Sequence, residues 1–172
     1  MLKKIIKYKK FVILVFITIT LAGCAYSFTG SSVPNHLKTI AIPFAIDRSG
    51  SGEPNMADNF TSTLIEKFIT DNSLAITDKA KSDALLDCTI NSISESPNSI
   101  KSGESVSTIR LTINTRVVYK DFVMKKTIFE KNFSDYADYS NTGDVYTNRV
   151  NAITEAIDKL SDEILLAVVS DW

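Results

Sequence analysis

The hydrophobic pattern of this chain changes period several times, and each change marks an element. Over residues 39–44 apolar positions alternate, with Ile40, Ile42 and Phe44 on one side, predicting a first strand that Pro43 confines to a sheet edge or a strand end. The period then lengthens: Met56, Phe60, Leu64 and Phe68 recur at every fourth position with Ile65 and Ile69 beside them. That spacing predicts a core-facing helix starting at Met56, with Asn55 placed to cap it, and ending near Asp71 and Asn72. Residues 74–77 read as a short strand.

Alternation then dominates. Over 84–93, Leu86, Cys88 and Ile90 face one way and Asp87, Thr89 and Asn91 the other, and 94–104 read as a connecting loop. The most regular strand spans 105–122, where Ile109, Leu111, Ile113, Val117 and Tyr119 oppose Arg110, Thr112, Asn114, Arg116 and Lys120. A tight turn at Lys125 and Lys126 leads into 127–139, whose Phe129, Phe133 and Ala137 keep the buried phase. Finally Asp144 stands where it caps a long helix with a seam of Tyr146, Val150, Ile153, Ile157, Leu160, Ile164 and Val168. Arg149 and Lys159 lie off that seam and read as solvated.

The order is β-α-β-β-β-β-α, an α+β fold in which two helices pack on one face of a mostly antiparallel sheet of four to five strands. The other face has no helix left to cover it. It carries Arg110, Arg116 and Lys120, and Lys101 stands in the loop before the long strand. Fixed cations of this kind suit a phosphorylated or carboxylated partner.

The first ten residues hold five lysines and no acid, and an unbroken apolar run follows over 11–22. As a helix that run spans about 18 Å at about 1.5 Å per residue, against a hydrocarbon core of about 30 Å, so it reads as a signal-peptide core and not a membrane span. It ends in Leu21-Ala22-Gly23-Cys24, which resembles the lipobox of bacterial lipoproteins. The resemblance implies that residues 1–23 are cleaved, that Cys24 is acylated, and that 24–37 form a polar tether to one domain over 38–172. Ala25, where an Asp would favour inner-membrane retention, points to the outer membrane.

Removing 1–23 takes away five lysines and no acid, leaving fourteen basic residues against twenty acids, a net charge near −6 on 149 residues. That balance argues against a nucleic-acid binder, and the length suits a single core. Chemistry is hard to assemble from what remains. His36 is the lone histidine, in the tether; Cys88 falls in a buried strand phase; and the pairs Asp135 with Asp138 and Asp162 with Glu163 lack any motif. The glycines of 47–54 are not followed by Gly-Lys-Ser/Thr, so no phosphate loop is present. A non-enzymatic protein without metal or cofactor is expected.

The lipobox with Tyr26-Ser27-Phe28-Thr29-Gly30, then Lys38-Thr39-Ile40-Ala41-Ile42-Pro43, the helix, the opening Asp83-Ala84-Leu85-Leu86, the long strand pair and the last helix together resemble the LptE family of lipopolysaccharide-assembly lipoproteins. The resemblance implies an outer-membrane lipoprotein, lipid-anchored on the periplasmic side, seated as a plug in an LptD-type β-barrel and in contact with lipopolysaccharide. It places Lys101-Ser102-Gly103 where family members carry a basic lipopolysaccharide contact. A second basic position, between the last strand and helix, has no counterpart, since 135–148 contain neither Lys nor Arg. Ile-Ala-Ile-Pro-Phe followed by loop, helix and short strand also resembles curli-secretion and TolB-type domains, which leaves another envelope complex as the alternative.

Overall fold

The protein is described by a computed structural model over residues 33–98 and 108–170. Its elements are β1 (Thr39–Ala41), β2 (Ile46–Asp47), α1 (Met56–Asp71), β3 (Ala75–Ile76), β4 (Ala84–Pro97), β5 (Thr108–Asp121), β6 (Lys126–Ser140) and α2 (Val145–Ser170). The strands form one six-stranded sheet in the order β3-β1-β4-β5-β6, with β2 also alongside β4.

The sheet is mixed, which corrects the expected mostly antiparallel sheet of four to five strands. β1 runs parallel to both β3 and β4, and β2 parallel to β4. The physical reason is α1, whose span lets the chain return to the edge of β1 in the same direction, as parallel pairing requires a long crossover. Pro43 accounts for the sixth strand. With no N–H to give the ladder, it ends β1 at Ala41, and pairing with β4 resumes only at Ile46 opposite Thr89. The alternation expected through Phe44 is therefore lost: Ala45 is buried and Phe44 is 62% exposed.

β4, β5 and β6 form the antiparallel meander that alternation predicted, and both ladders carry one irregularity. On β4 the register slips between Ile90 and Ser92, leaving Asn91 as an extra residue. Up to Ile90 the even residues face the helices; beyond the bulge Ile93 and Glu95 do so, opposite Ile113 and Leu111. The strand continues to Pro97, through residues expected to be loop. Glu95 thus comes to lie beneath α2, where it accepts a hydrogen bond from Tyr139 Oη at 2.8 Å and one from Arg149 Nε at 2.7 Å.

Both helices sit on one face. α2 lies over β5 and β6, and α1 packs beside it against β2 and β3. Between them and the sheet lie Phe60, Leu64, Phe68, Leu86, Ile90, Leu111, Ile113, Tyr119, Leu160 and Ile164, all essentially inaccessible to solvent. Asp144 caps α2 as expected, its Oδ1 accepting from Thr147 N at 3.1 Å. Asn55 does not cap α1 through its side chain. It adopts a left-handed conformation (φ 60°), and so does Asn72 past the other end (φ 58°), where its N–H donates to Phe68 O.

Two residues of α2 depart from their expected places. Tyr146, assigned to the seam, is 68% exposed, because the buried stripe is taken up by Ala152, Ala156 and Ser161 beside Ile153, Ile157, Leu160 and Ile164. Arg149, read as solvated, instead bridges Glu95 of β4 and Glu53 of the segment before α1. It ties the last helix to two other parts of the chain at once.

The approach to β1 is held equally firmly. Asp83 accepts hydrogen bonds from the N–H groups of Lys38 and Thr39, each at 3.0 Å, and from Thr39 Oγ1 at 2.9 Å. The Lys38 N–H, followed by the Thr39 hydroxyl, holds its carboxyl below the usual carboxylate range against the opposing effect of burial. His36, expected as a bare surface residue, places Nε2 2.8 Å from Asp121 Oδ2, and Leu37 is buried in the core.

Truncating Leu160 to Ala should cost about 2–5 kcal/mol in denaturant unfolding, whereas Tyr146→Ala should stay within about 0.5 kcal/mol. Equal losses at the two sites would contradict the observed stripe. Because Asp83 is depressed in the folded state, the stabilisation it brings is present above its ordinary value of 3.8 and lost as pH falls through the folded value. Unfolding of Asp83→Asn followed from about pH 5 downward should therefore show a shallower acid dependence than the native chain.

Candidate functional site

The face of the sheet opposite the helices is where the alternating strands put their polar residues, and the candidate site lies there. Arg110, Arg116 and Lys120 project from one side of β5, as expected, but none of the three is a free cation. Arg110 lies opposite Asp138 of β6 and grips it with two bonds, Nε to Oδ1 at 2.9 Å and Nη2 to Oδ2 at 3.0 Å. Its guanidinium also stacks 3.8 Å above the ring of Tyr136, while Asn98 Nδ2 donates to the same carboxylate at 2.6 Å. Arg110 holds the Asp138 carboxyl below its ordinary range.

Arg116 gives Nε and Nη2 to Glu130 Oε1 at 2.9 and 2.7 Å, one step diagonally along β6. Lys120 stands 3.6 Å from Asp87 Oδ2 of β4, the loosest of the three pairs. Nothing in the local sequence marks Asp87, Glu130 and Asp138 as their partners. The signal that identifies them is the ladder register, since cross-strand neighbours of opposite charge attract at these separations.

One end of this face is concave. Phe44, Ile46 and Arg48 rise beside β4 and β5 to make one wall of a cleft of about 420 Å³, floored by Thr89 and Val118 and flanked by Arg116, Lys120, Asp87 and Glu130. The wall exists because Pro43 releases the chain from the ladder and turns Phe44 and Ile46 outward. Arg48 donates its backbone N–H to Ile90 O at 2.9 Å, which fixes the wall to β4, and its side chain is exposed. The cleft combines an aromatic ring, two aliphatic side chains and paired charges, a surface suited to a partner with polar and apolar parts.

Lys101 and Cys24 lie outside the described residues. Cys88 is buried, and burial pushes its thiol up to about 12, so it stays protonated and inert at neutral pH. No group of three or more His, Cys, Asp or Glu placed to hold a metal occurs among the described residues, and no helix among them is long and apolar enough to cross a membrane.

Solved structures share this arrangement. A hypothetical protein from Chlamydia trachomatis superposes with a TM-score of 0.59 at 10% identity, covering 79% of this chain and 99% of its own. An uncharacterized lipoprotein B from Nitrosomonas europaea gives 0.59 at 13% identity, covering 87% of this chain and 92% of its own. The rare lipoprotein B of Shewanella oneidensis gives 0.55 at 16% identity, with 76% and 95% covered. At these identities the likeness is one of fold. No functionally curated protein matches the sequence. The family model LptE, described as lipopolysaccharide-assembly, matches residues 37–168, from the buried Leu37 through both helices and every strand to the end of the core seam at Val168. The chain belongs to the LptE family of lipopolysaccharide-assembly lipoproteins.

Proposed function

We propose that this protein is acylated at Cys24, sits on the periplasmic side of the outer membrane, and plugs an LptD-type β-barrel that it helps to assemble for delivery of lipopolysaccharide to the outer leaflet. The observation that carries this reading is the polar sheet face, which neither α1 nor α2 covers and on which Arg110, Arg116 and Lys120 are each matched by a carboxylate. A large barrel has a polar, hydrated interior. A face with balanced charges rests in such a lumen without stranding an ion, and the apolar cleft wall of Phe44 and Ile46 offers a point of grip. Family membership supports the role, and nothing in it calls for catalysis.

Contact with lipopolysaccharide phosphates falls to Lys101, Arg110, Arg116 and Lys120, and the pairing ranks the last three. An incoming phosphate competes with Asp138 for a doubly bonded, ring-stacked Arg110, but at Lys120 it meets only a 3.6 Å contact with Asp87. Lys120 is therefore the cation most readily recruited, with the exposed Arg48 across the cleft.

Affinity purification of the tagged chain in mild detergent should recover a large outer-membrane barrel, and depletion of the chain should lower the amount of that barrel. Recovery of the lipoprotein alone, with barrel levels unchanged on depletion, defeats the proposal. Arg116→Gln combined with Lys120→Gln should reduce barrel recovery while leaving thermal unfolding close to native, since exposed ion pairs contribute only about 0–1 kcal/mol each. Lys101→Glu should weaken association with a phosphorylated glycolipid at low salt; unchanged binding removes Lys101 from the contact set.

A further inference from the structure

One end of the sheet differs in character from the rest of an acidic domain. It is the end where β1 and β4 begin and β5 turns into β6. The turn, Phe122 to Lys125, puts Val123 and Met124 into solvent at 53% and 58% exposure, and Lys125 and Lys126 follow directly. Lys38 and Lys81 are exposed on the adjoining connections into β1 and β4. Of the acids at this end, Asp121 is buried and Asp83 half-buried, while Asp78, on the same connection as Lys81, is exposed. Asp83 is occupied by Lys38 N, Thr39 N and Thr39 Oγ1, and Asp121 by Met124 N at 2.8 Å and His36 Nε2 at 2.8 Å. Phe122 N donates to Asp83 O at 2.8 Å, which joins the turn to the start of β4. The outcome is two bare apolar side chains at a tip where four exposed lysines, Lys38, Lys81, Lys125 and Lys126, outnumber the one exposed acid, Asp78.

The chain enters the domain at this same end, through His36 on Asp121 and Leu37 in the core. Nine residue steps separate Cys24 from Val33, so even a fully extended tether reaches no more than about 30 Å. β5, with fourteen residues, is about 45 Å long at about 3.4 Å per residue. A lipid on Cys24 therefore cannot hold the strands upright with this end pointing away from the membrane.

We propose that the β5–β6 turn is a second membrane contact, in which Val123 and Met124 enter the headgroup boundary of an anionic phospholipid leaflet and Lys125, Lys126, Lys38 and Lys81 meet its phosphates. The inference rests on the reading that Cys24 is acylated. Apolar side chains flanked by lysines are the combination that partitions into an anionic interface, the first by leaving water and the second by attraction to the surface potential. The acyl chains hold the protein at the membrane; the turn sets which end faces it.

The mature lipidated chain carrying Met124→Cys offers one reactive thiol, because Cys24 is consumed by the lipid and Cys88 is buried with its thiol pushed up to about 12. Labelled there with an environment-sensitive fluorophore and reconstituted into vesicles of phosphatidylcholine with phosphatidylglycerol, it should emit further to the blue than in detergent-free buffer and be quenched by a nitroxide placed near the lipid headgroup. The shift should shrink in phosphatidylcholine alone, at high salt, and in the chain that also carries Lys125→Glu and Lys126→Glu. A label on Asn141→Cys, at the opposite end of β6, should keep its aqueous emission. A chain that floats with the vesicles while position 124 stays in water overturns the inference, as does a position 124 that becomes shielded only when a barrel protein is added. A chain that fails to float refutes the acylation reading, and the turn contact falls with it.

Discussion

Three antiparallel strands of fourteen and fifteen residues impose the constraint from which the rest of this structure follows. In a ladder of that length every second side chain between bulges is committed to the same face. The apolar set of β5, from Ile109 to Tyr119, leaves about 100 cal/mol of unfavourable hydration for every 4 Å² it exposes to water. Two helices cover that side, and each supplies a matching stripe. The opposite side inherits the polar set by default, and neither α1 nor α2 covers it. The two-faced character of the protein is thus a property of strand length and alternation before it is a property of any functional residue.

Local periodicity carried most of this. The bounds of α1, the meander, the Asp144 cap and the face on which Arg110, Arg116 and Lys120 stand could all be read from the spacing of apolar residues, because each depends on neighbours a few positions away. The parallel placement of β1 and β3 could not, since strands of two and three residues hold too few positions to define a partner. Nor could the bulge at Asn91, which reverses the phase of β4 and brings Glu95 under α2. Ile93 was the available hint, an apolar residue out of step with Leu86, Cys88 and Ile90. Phe44 departs from its expected side for a related reason: the ladder that gives alternation its meaning stops at Pro43.

The candidate site was half legible in the same sense. The cations were visible and their partners were not, because Asp138, Glu130 and Asp87 lie 28, 14 and 33 positions away in the chain from Arg110, Arg116 and Lys120 and meet them only through register. This changes the physical meaning of the face. A row of bare cations would attract any polyanion, whereas a row of matched pairs is selective, since a ligand must offer better geometry than a carboxylate already in place. Arg149 makes a parallel case inside the fold, where a residue that periodicity assigned to solvent links a helix, a strand and a loop through two glutamates.

Among the described residues β6 has a strand neighbour on one side, although it is as long as any strand in the sheet. An open ladder of fifteen residues invites a second chain to dock along it, with aggregation as the usual price. Charged side chains at Glu130, Lys131, Asp135 and Asp138 interrupt it, the ladder irregularity beside Lys120 bends its beginning, and Lys159 reaches from α2 to occupy the carbonyl of Tyr136 at 3.2 Å. A lysine at the centre of the last helix thereby fills an acceptor at the sheet margin, so an element that contributes no strand takes part in closing the ladder.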